Sequence, residues 1–224
     1  MSGTPVWQLA SLPQPQQLET AVTISLDTPG AMAASAQNRT GKLLKLKLGG
    51  PNDLSRVEAV HAARPDARLI LDGNEGLSAD DLPVLSQAAA NLGVIMIEQP
   101  LPVGHDAALI GRSPSVAICA DESAHASKDI AALAPLYDIV NVKLDKTGGL
   151  TEAIKMVQAA RAANMGVMIG CMVAGSISMA PAVILAGLAD AADVDGPLWL
   201  SDDVTHGLKF SDGFVEPPTR ELWG

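Results

Sequence analysis

Leu43-Leu44-Lys45-Leu46-Lys47-Leu48 sets two lysines into an apolar run at a spacing of two. Side chains of a strand alternate between its faces, so the lysines share one face and the leucines the other. Alone, the segment would read as a half-exposed strand with its lysines in water. Its surroundings decide otherwise. Further β-type runs recur at residues 21–25, 68–72, 94–99, 116–121, 139–144 and 167–172, with a weaker one at 192–195, and stretches of helical period separate them. Leu54, Val57 and His61 fall on one helical face, as do Leu150, Ile154 and Val157. Ser78-Ala79-Asp80-Asp81 has the form of a capping box for the third helix, and Gly93 and Gly166 follow helices where a C-cap belongs. The runs are almost continuously apolar, as strands are when helices cover one side of a parallel sheet and side chains fill the other. Eight such units within about 200 residues predict an α/β fold, a TIM-like barrel of (β/α)7β or (β/α)8 form with parallel strands, over an open doubly wound sheet. No G-x-G-x-x-G follows the first run, which counts against a dinucleotide site.

In such a barrel the leucines of residues 43–48 face helices and the lysines point inward, where an unpaired ammonium group is strongly disfavoured. Burial and a neighbouring cation both lower a lysine's pKa, so Lys47 with Lys45 beside it is a candidate base. Other ionisable groups gather at the same ends of the runs: Asp72 and Asn74, Glu98, Asp121, Lys143, then Asp193 and Asp195. The C-terminal end of the strands is where a (β/α) barrel builds its active site. Asp72, Glu98 and Asp121 come from three successive runs and should converge; their mutual repulsion calls for a hard divalent cation, and three carboxylates with open positions suit Mg²⁺. Taken singly, each acid could equally be a helix cap or a turn residue. Lys143 lies across the barrel from Lys47, giving two opposed amines, whereas Lys146, of opposite parity, reads as structural or as a support to the site residues. The four histidines, His61, His105, His125 and His206, show no zinc-ligand spacing.

Composition agrees. A chain of 224 residues with 48% hydrophobic content can bury a large core, and a net charge of −10 without a Lys/Arg run excludes a nucleic-acid surface. No apolar stretch approaches the roughly 18 residues of a membrane span, and no signal peptide is legible. Cys119 and Cys171 both lie in apolar runs and read as buried free thiols, which fits a cytoplasmic setting. Residues 1–20, rich in Pro and Gln up to Gln17, read as a lead-in segment or linker with Trp7 docking somewhere, and residues 21–224 as the barrel with a C-terminal tail.

The motifs K-L-K (Lys45 to Lys47), D-G-N-E-G (Asp72 to Gly76), I-E-Q-P (Ile97 to Pro100), A-D-E-S (Ala120 to Ser123), N-V-K-L-D-K-T-G-G (Asn141 to Gly149) and D-V-D-G-P (Asp193 to Pro197) stand in this order along the chain. Together they resemble the enolase superfamily, muconate-lactonizing subgroup, and within it the dipeptide epimerases of the L-Ala-D/L-Glu type. The resemblance implies metal ligands at Asp72, Glu98 and Asp121 for Mg²⁺, and catalytic lysines at Lys47 and Lys143. It implies substrate contacts from Lys45, and from Asp193 and Asp195, which would hold a dipeptide's ammonium group. Asn74 and Glu122 resemble residues supporting the ligands. The reaction implied is a 1,1-proton transfer through an enediolate. The runners-up are a cycloisomerase, an o-succinylbenzoate synthase, an N-acylamino acid racemase, or a metal-binding barrel without turnover. Members of the family begin with a capping domain that closes the barrel mouth, whereas this sequence begins near the junction, at Thr4-Pro5-Val6-Trp7. A shortened chain, one half of a split enzyme completed by a separate capping domain, or a remnant are the alternatives, and activity without the cap is expected to be impaired. The dipeptide's identity and the choice between monomer and homo-oligomer stay open.

Overall fold

The computed structural model describes residues 3–111 and 114–223. Eight parallel strands follow one another in chain order: β1 (Val22–Ile24), β2 (Leu43–Lys47), β3 (Arg68–Asp72), β4 (Val94–Glu98), β5 (Ala117–Ala120), β6 (Ile139–Lys143), β7 (Gly166–Gly170) and β8 (Ala191–Ala192). Sequential order with every neighbour hydrogen-bonded is barrel topology, and it excludes the doubly wound alternative, in which the order reverses. The last strand meets the first: Ala21 N donates to Ala192 O at 2.8 Å, and Val194 N donates to Thr20 Oγ1 at 2.9 Å.

Two cores result. One lies between strands and helices and takes the outward residues, among them Leu44, Leu46, Leu69, Leu71, Ile97 and Ile118. The other fills the barrel's interior with Ala21, Leu43, Ile70, Met96, Cys119 and Met168. Period two thus works on both faces, and the inward set turns ionic toward the C-terminal ends of the strands.

The outer layer is formed by α1 (Pro29–Gln37), α2 (Asp53–Ala63), α3 (Asp81–Ala89), α4 (Ile130–Leu133), α5 (Leu144–Thr147), α6 (Leu150–Ala162) and α7 (Ser176–Ala186). The capping box is only half made: Asp81 N donates to Ser78 Oγ, but the Asp81 carboxylate accepts from the Ser78 hydroxyl rather than from its backbone N–H. Gly93 is left-handed at φ +71°. Gly166 is not a cap but the first residue of β7, and Asn164 at φ +59° takes the left-handed turn instead. After β4 the described residues form a single 3₁₀ turn, Asp106–Leu109, after β5 the short α4, and after β8 the 3₁₀ turn Gly196–Trp199, so three of the eight units lack a full helix among the described residues.

The lead-in is built onto the barrel rather than trailing from it. Val6–Leu9 makes one helical turn, Leu12 is buried, and Trp7 packs near Ile184 and Trp223. Leu18–Glu19 pairs with Phe214–Val215, which pairs with Phe210–Ser211, a small antiparallel sheet at the N-terminal end of β1. Gly213 (φ +81°) lets this ribbon approach, since a Cβ there would lie 2.4 Å from Gly41 Cα. Among the described residues no helix is long and apolar enough to cross a membrane.

Candidate active site

Even-numbered strands supply Lys45, Glu98, Asn141 and Asp193, all buried, as one polar layer across the interior above the apolar one. Lys45 Nζ lies 2.9 Å from Asp72 Oδ2, 2.8 Å from Glu98 Oε2 and 2.9 Å from Asp193 Oδ2. Asn141 Nδ2 donates to Glu98 Oε1 at 2.7 Å. Above them Lys47 Nζ donates to Asp72 Oδ2 (2.7 Å) and Asn74 Oδ1 (2.9 Å), and Asn74 in turn donates to Glu122. Lys143 Nζ donates to Asp121 Oδ2 at 2.6 Å, while Lys146 Nζ donates to Asp121 Oδ1 at 2.5 Å and to two backbone carbonyls. Asp195 Oδ2 accepts from Thr23 N (2.9 Å) and Trp199 Nε1 (3.2 Å). Apart from Asp72, Glu98 and Asn141, which lie buried beneath it, these groups line an open cavity of about 630 Å³ at the mouth, with His125, Cys171, Met172 and Val173 on its rim. Another cleft of about 390 Å³ lies on the barrel's outer wall between Leu82 and Tyr137 and contains no lysine.

Burial works to lower the Lys45 pKa, but the carboxylates of Asp193, Glu98 and Asp72 outweigh it and hold the group well above the ordinary lysine value. Lys143 is likewise raised by Asp121 and Glu98 against the effect of burial. The sequence-based expectation that burial lowers an interior lysine's pKa therefore reverses for these two, because each faces more than one carboxylate. Burial pushes Glu98 up to about 7, opposed by Lys45 and reinforced by Asp72 and Asp121. Asp72 and Asp121 feel the same burial but stay below the ordinary aspartate value, Asp72 through Lys45 and Lys47, Asp121 through Lys146 and Lys143. Burial, then Asp193, raises Asp195.

The structure brings all eight sequence-derived site residues, Lys45, Lys47, Asp72, Glu98, Asp121, Lys143, Asp193 and Asp195, to this one end of the barrel. It does not draw the three expected ligand carboxylates into a closed cage. Among the described residues no three acidic, His or Cys side chains are so arranged; ammonium groups stand between them. The set nonetheless fits a hard divalent cation. Its donors are carboxylate oxygens on three consecutive strands, and buried Glu98 Oε2 lacks a well-angled hydrogen bond. Six carboxylates, those above with Glu122, face four ammonium groups, two negative charges in excess. Lys146 clasps Asp121 directly. One expectation needs amendment: Cys171 is only partly buried while Cys119 is fully so; both are free thiols. Asn141 was passed over as a site residue, although a lone amide inside Val140-Asn141-Val142 with inward parity signals it.

A family model described as "Enolase C-terminal domain-like" matches residues 31–221. The chain belongs to the enolase superfamily. Among its relatives, an L-Ala-D/L-Glu epimerase of Escherichia coli is 43% identical over 92% of this chain and 65% of the relative. An N-acetyl-D-glutamate racemase of a Pseudoalteromonas species is 42% identical over 91% and 65%. Of solved structures, an enolase family member from Agrobacterium tumefaciens with homology to dipeptide epimerases, holding sodium and L-Ala-L-Glu, superposes with a TM-score of 0.92 at 46% identity, covering 97% of this chain and 67% of that one. A dipeptide epimerase of Enterococcus faecalis with Mg and L-Leu-L-Tyr gives 0.87 at 30% identity, covering 95% and 64%. The chain spans about 65% of the length of the curated relatives named above. These enolase-superfamily homologues are epimerases and racemases, and the motifs quoted from the sequence are the side chains that meet at the mouth.

Proposed function

We propose that this chain is the barrel of a Mg²⁺-dependent epimerase that inverts the α-carbon of a C-terminal glutamate in a dipeptide of the L-Ala-D/L-Glu type. Residues 21–224 carry the site, residues 1–20 the lead-in, and the proposed setting is the cytoplasm. The observation that carries the reading is the placement of Lys47 on β2 and Lys143 on β6, both lining the cavity at the mouth, with Asp121 on its wall and Asp72 and Glu98 buried beneath it at the ends of the strands between.

Asp72, Glu98 and Asp121 would hold the Mg²⁺, whose Lewis acidity would stabilise charge developing on the substrate carboxylate. Lys47 and Lys143 then address the α-carbon from opposite faces, one taking its proton and the other returning one. Lys45 stands within 2.9 Å of three carboxylates, donating to Asp193, and serves as a fixed positive floor beneath the substrate carboxylate. Asp193 Oδ1 is buried without a hydrogen-bond partner, and with Asp195 beside it an ammonium group would satisfy it. That favours a free dipeptide amine over an acetyl group.

One observation supports a second reading. The relative at 42% identity is a racemase of N-acetyl-D-glutamate, which shares an N-acylated glutamate with L-Ala-Glu but carries no amine. The test is proton NMR of L-Ala-L-Glu and N-acetyl-L-glutamate in D₂O with Mg²⁺. Loss of the glutamate α-proton with appearance of the D epimer supports the proposal, and the preferred substrate decides between the two readings. Mg²⁺ binding without exchange of either would instead mark a binding barrel without turnover. Lys47→Ala and Lys143→Ala are each expected to cut epimerisation roughly 10²–10⁴-fold, while each still exchanges the α-proton of one epimer only. Equal residual exchange of both epimers by either variant would dispose of the two-base scheme.

A further inference from the structure

Gln99 follows Glu98 in chain order but leaves the barrel wall: its φ is +30°, and its fully buried side chain turns away from the interior toward the loop after β5. There its Oε1 accepts from Asp121 N at 2.8 Å and Ser123 N at 3.1 Å. Its Nε2 meets Leu101 O (2.9 Å), Ser123 Oγ (2.9 Å) and Tyr137 OH (3.1 Å). The amide cannot be reversed. Ser123 Oγ and Tyr137 OH both spend their hydrogens on Asp106 Oδ1, so they can only accept from Gln99, while the two backbone N–H groups can only donate. Burial and the Asp106 carboxylate keep the Tyr137 hydroxyl protonated, which preserves this polarity.

We infer that Gln99 is a positioning residue that sets the spacing between the Glu98 and Asp121 carboxylates, oriented by Asp106 through Ser123 and Tyr137. One residue spans both ligands: its own backbone continues Glu98, and its side chain grips the backbone of Asp121. Neighbouring strands would otherwise fix them only through their ladder, which between β4 and β5 ends with Glu98 opposite Cys119. The inference rests on reading Asp72, Glu98 and Asp121 as metal ligands.

The test is Mg²⁺ affinity by calorimetry, beside circular dichroism and steady-state kinetics as a function of Mg²⁺. Gln99→Met, close in shape and without hydrogen bonds, is expected to weaken Mg²⁺ binding about tenfold or more. The Mg²⁺ concentration for half-maximal turnover should rise by more than kcat falls, a split that general loss of structure would not give. Tyr137→Phe and Ser123→Ala, which loosen only the anchor, should show a smaller loss in the same direction, so the test survives if Gln99→Met does not fold. Asp121→Asn is the control. If it leaves Mg²⁺ affinity untouched, the metal reading itself fails; if it abolishes binding while folded Gln99→Met, or Tyr137→Phe where Gln99→Met is unfolded, binds Mg²⁺ as the parent does, this inference is overturned.

Discussion

Gly170 on β7 shows how tightly the polar layer is packed. A Cβ there would lie 2.5 Å from Asn141 Oδ1 and 2.7 Å from Nδ2. Asn141 is fully buried and bound to Glu98, so it cannot move aside without releasing that carboxylate. Gly170→Ala is therefore expected to lower stability by about 1–3 kcal/mol, read by urea unfolding, and to weaken Mg²⁺ binding with it. Parent-like values for both would mean that the layer has slack. Residues of this kind explain what was legible. Period two and charge were enough to place Lys45, Lys47, Asp72, Glu98, Asp121 and Lys143 at one mouth, because an ionisable group in an apolar run has few places to go. Asn141 shows locally only as a lone amide of inward parity and Gln99 not at all, since their roles depend on partners 43 and 22 residues away.

At the level of elements, the strands were readable to within one or two residues at most ends because each is an apolar run closed by a polar residue or a turn. The sheet formed by Leu18–Glu19, Phe210–Ser211 and Phe214–Val215 was not, since two-residue strands carry no period and exist only through long-range pairing. The join between α6, β7 and the approach to β8 makes a prediction. Asp190 Oδ2 accepts from Arg161 Nη1 (2.6 Å) and Val167 N (2.8 Å), and Arg161 also reaches Leu188 O. The Arg161 guanidinium first, then the Val167 N–H, hold the Asp190 pKa below its ordinary 3.8 against the effect of burial. A depressed folded pKa means that the unfolded chain takes up the proton first. The contribution is thus complete above pH 3.8 and is lost as the pH falls through the folded value. Both side chains are about half exposed, so Asp190→Asn should cost only about 0.5–1 kcal/mol at pH 7. The difference should shrink in acid, and one that stayed constant down to pH 2.5 would assign the effect to something other than this ion pair.

For the molecule as a whole, the closure of the ring is its thinnest point and also where the two substrate-facing aspartates hang. β2 and β3 pair over five residues, whereas β8 has only two residues, and its join to β1 rests on Ala21 N to Ala192 O, Val194 N to Thr20 Oγ1 and Thr23 N to Asp195 Oδ2. Asp193 and Asp195 follow immediately, so their placement depends on this seam staying shut. Thr20→Val keeps the shape but leaves the Val194 N–H, which is fully buried, without an acceptor, at an expected loss of about 1–3 kcal/mol. Hydrogen exchange should then quicken at Ala21 and Val194 before it does at β2 to β4. On the proposed substrate, KM for L-Ala-L-Glu should rise more than kcat falls, because Lys47 and Lys143 are held by five-residue ladders to β3 and β7 that the substitution leaves intact. If exchange at Ala21 and Val194 is unchanged in Thr20→Val, the barrel is held shut elsewhere and the aspartates do not depend on Thr20.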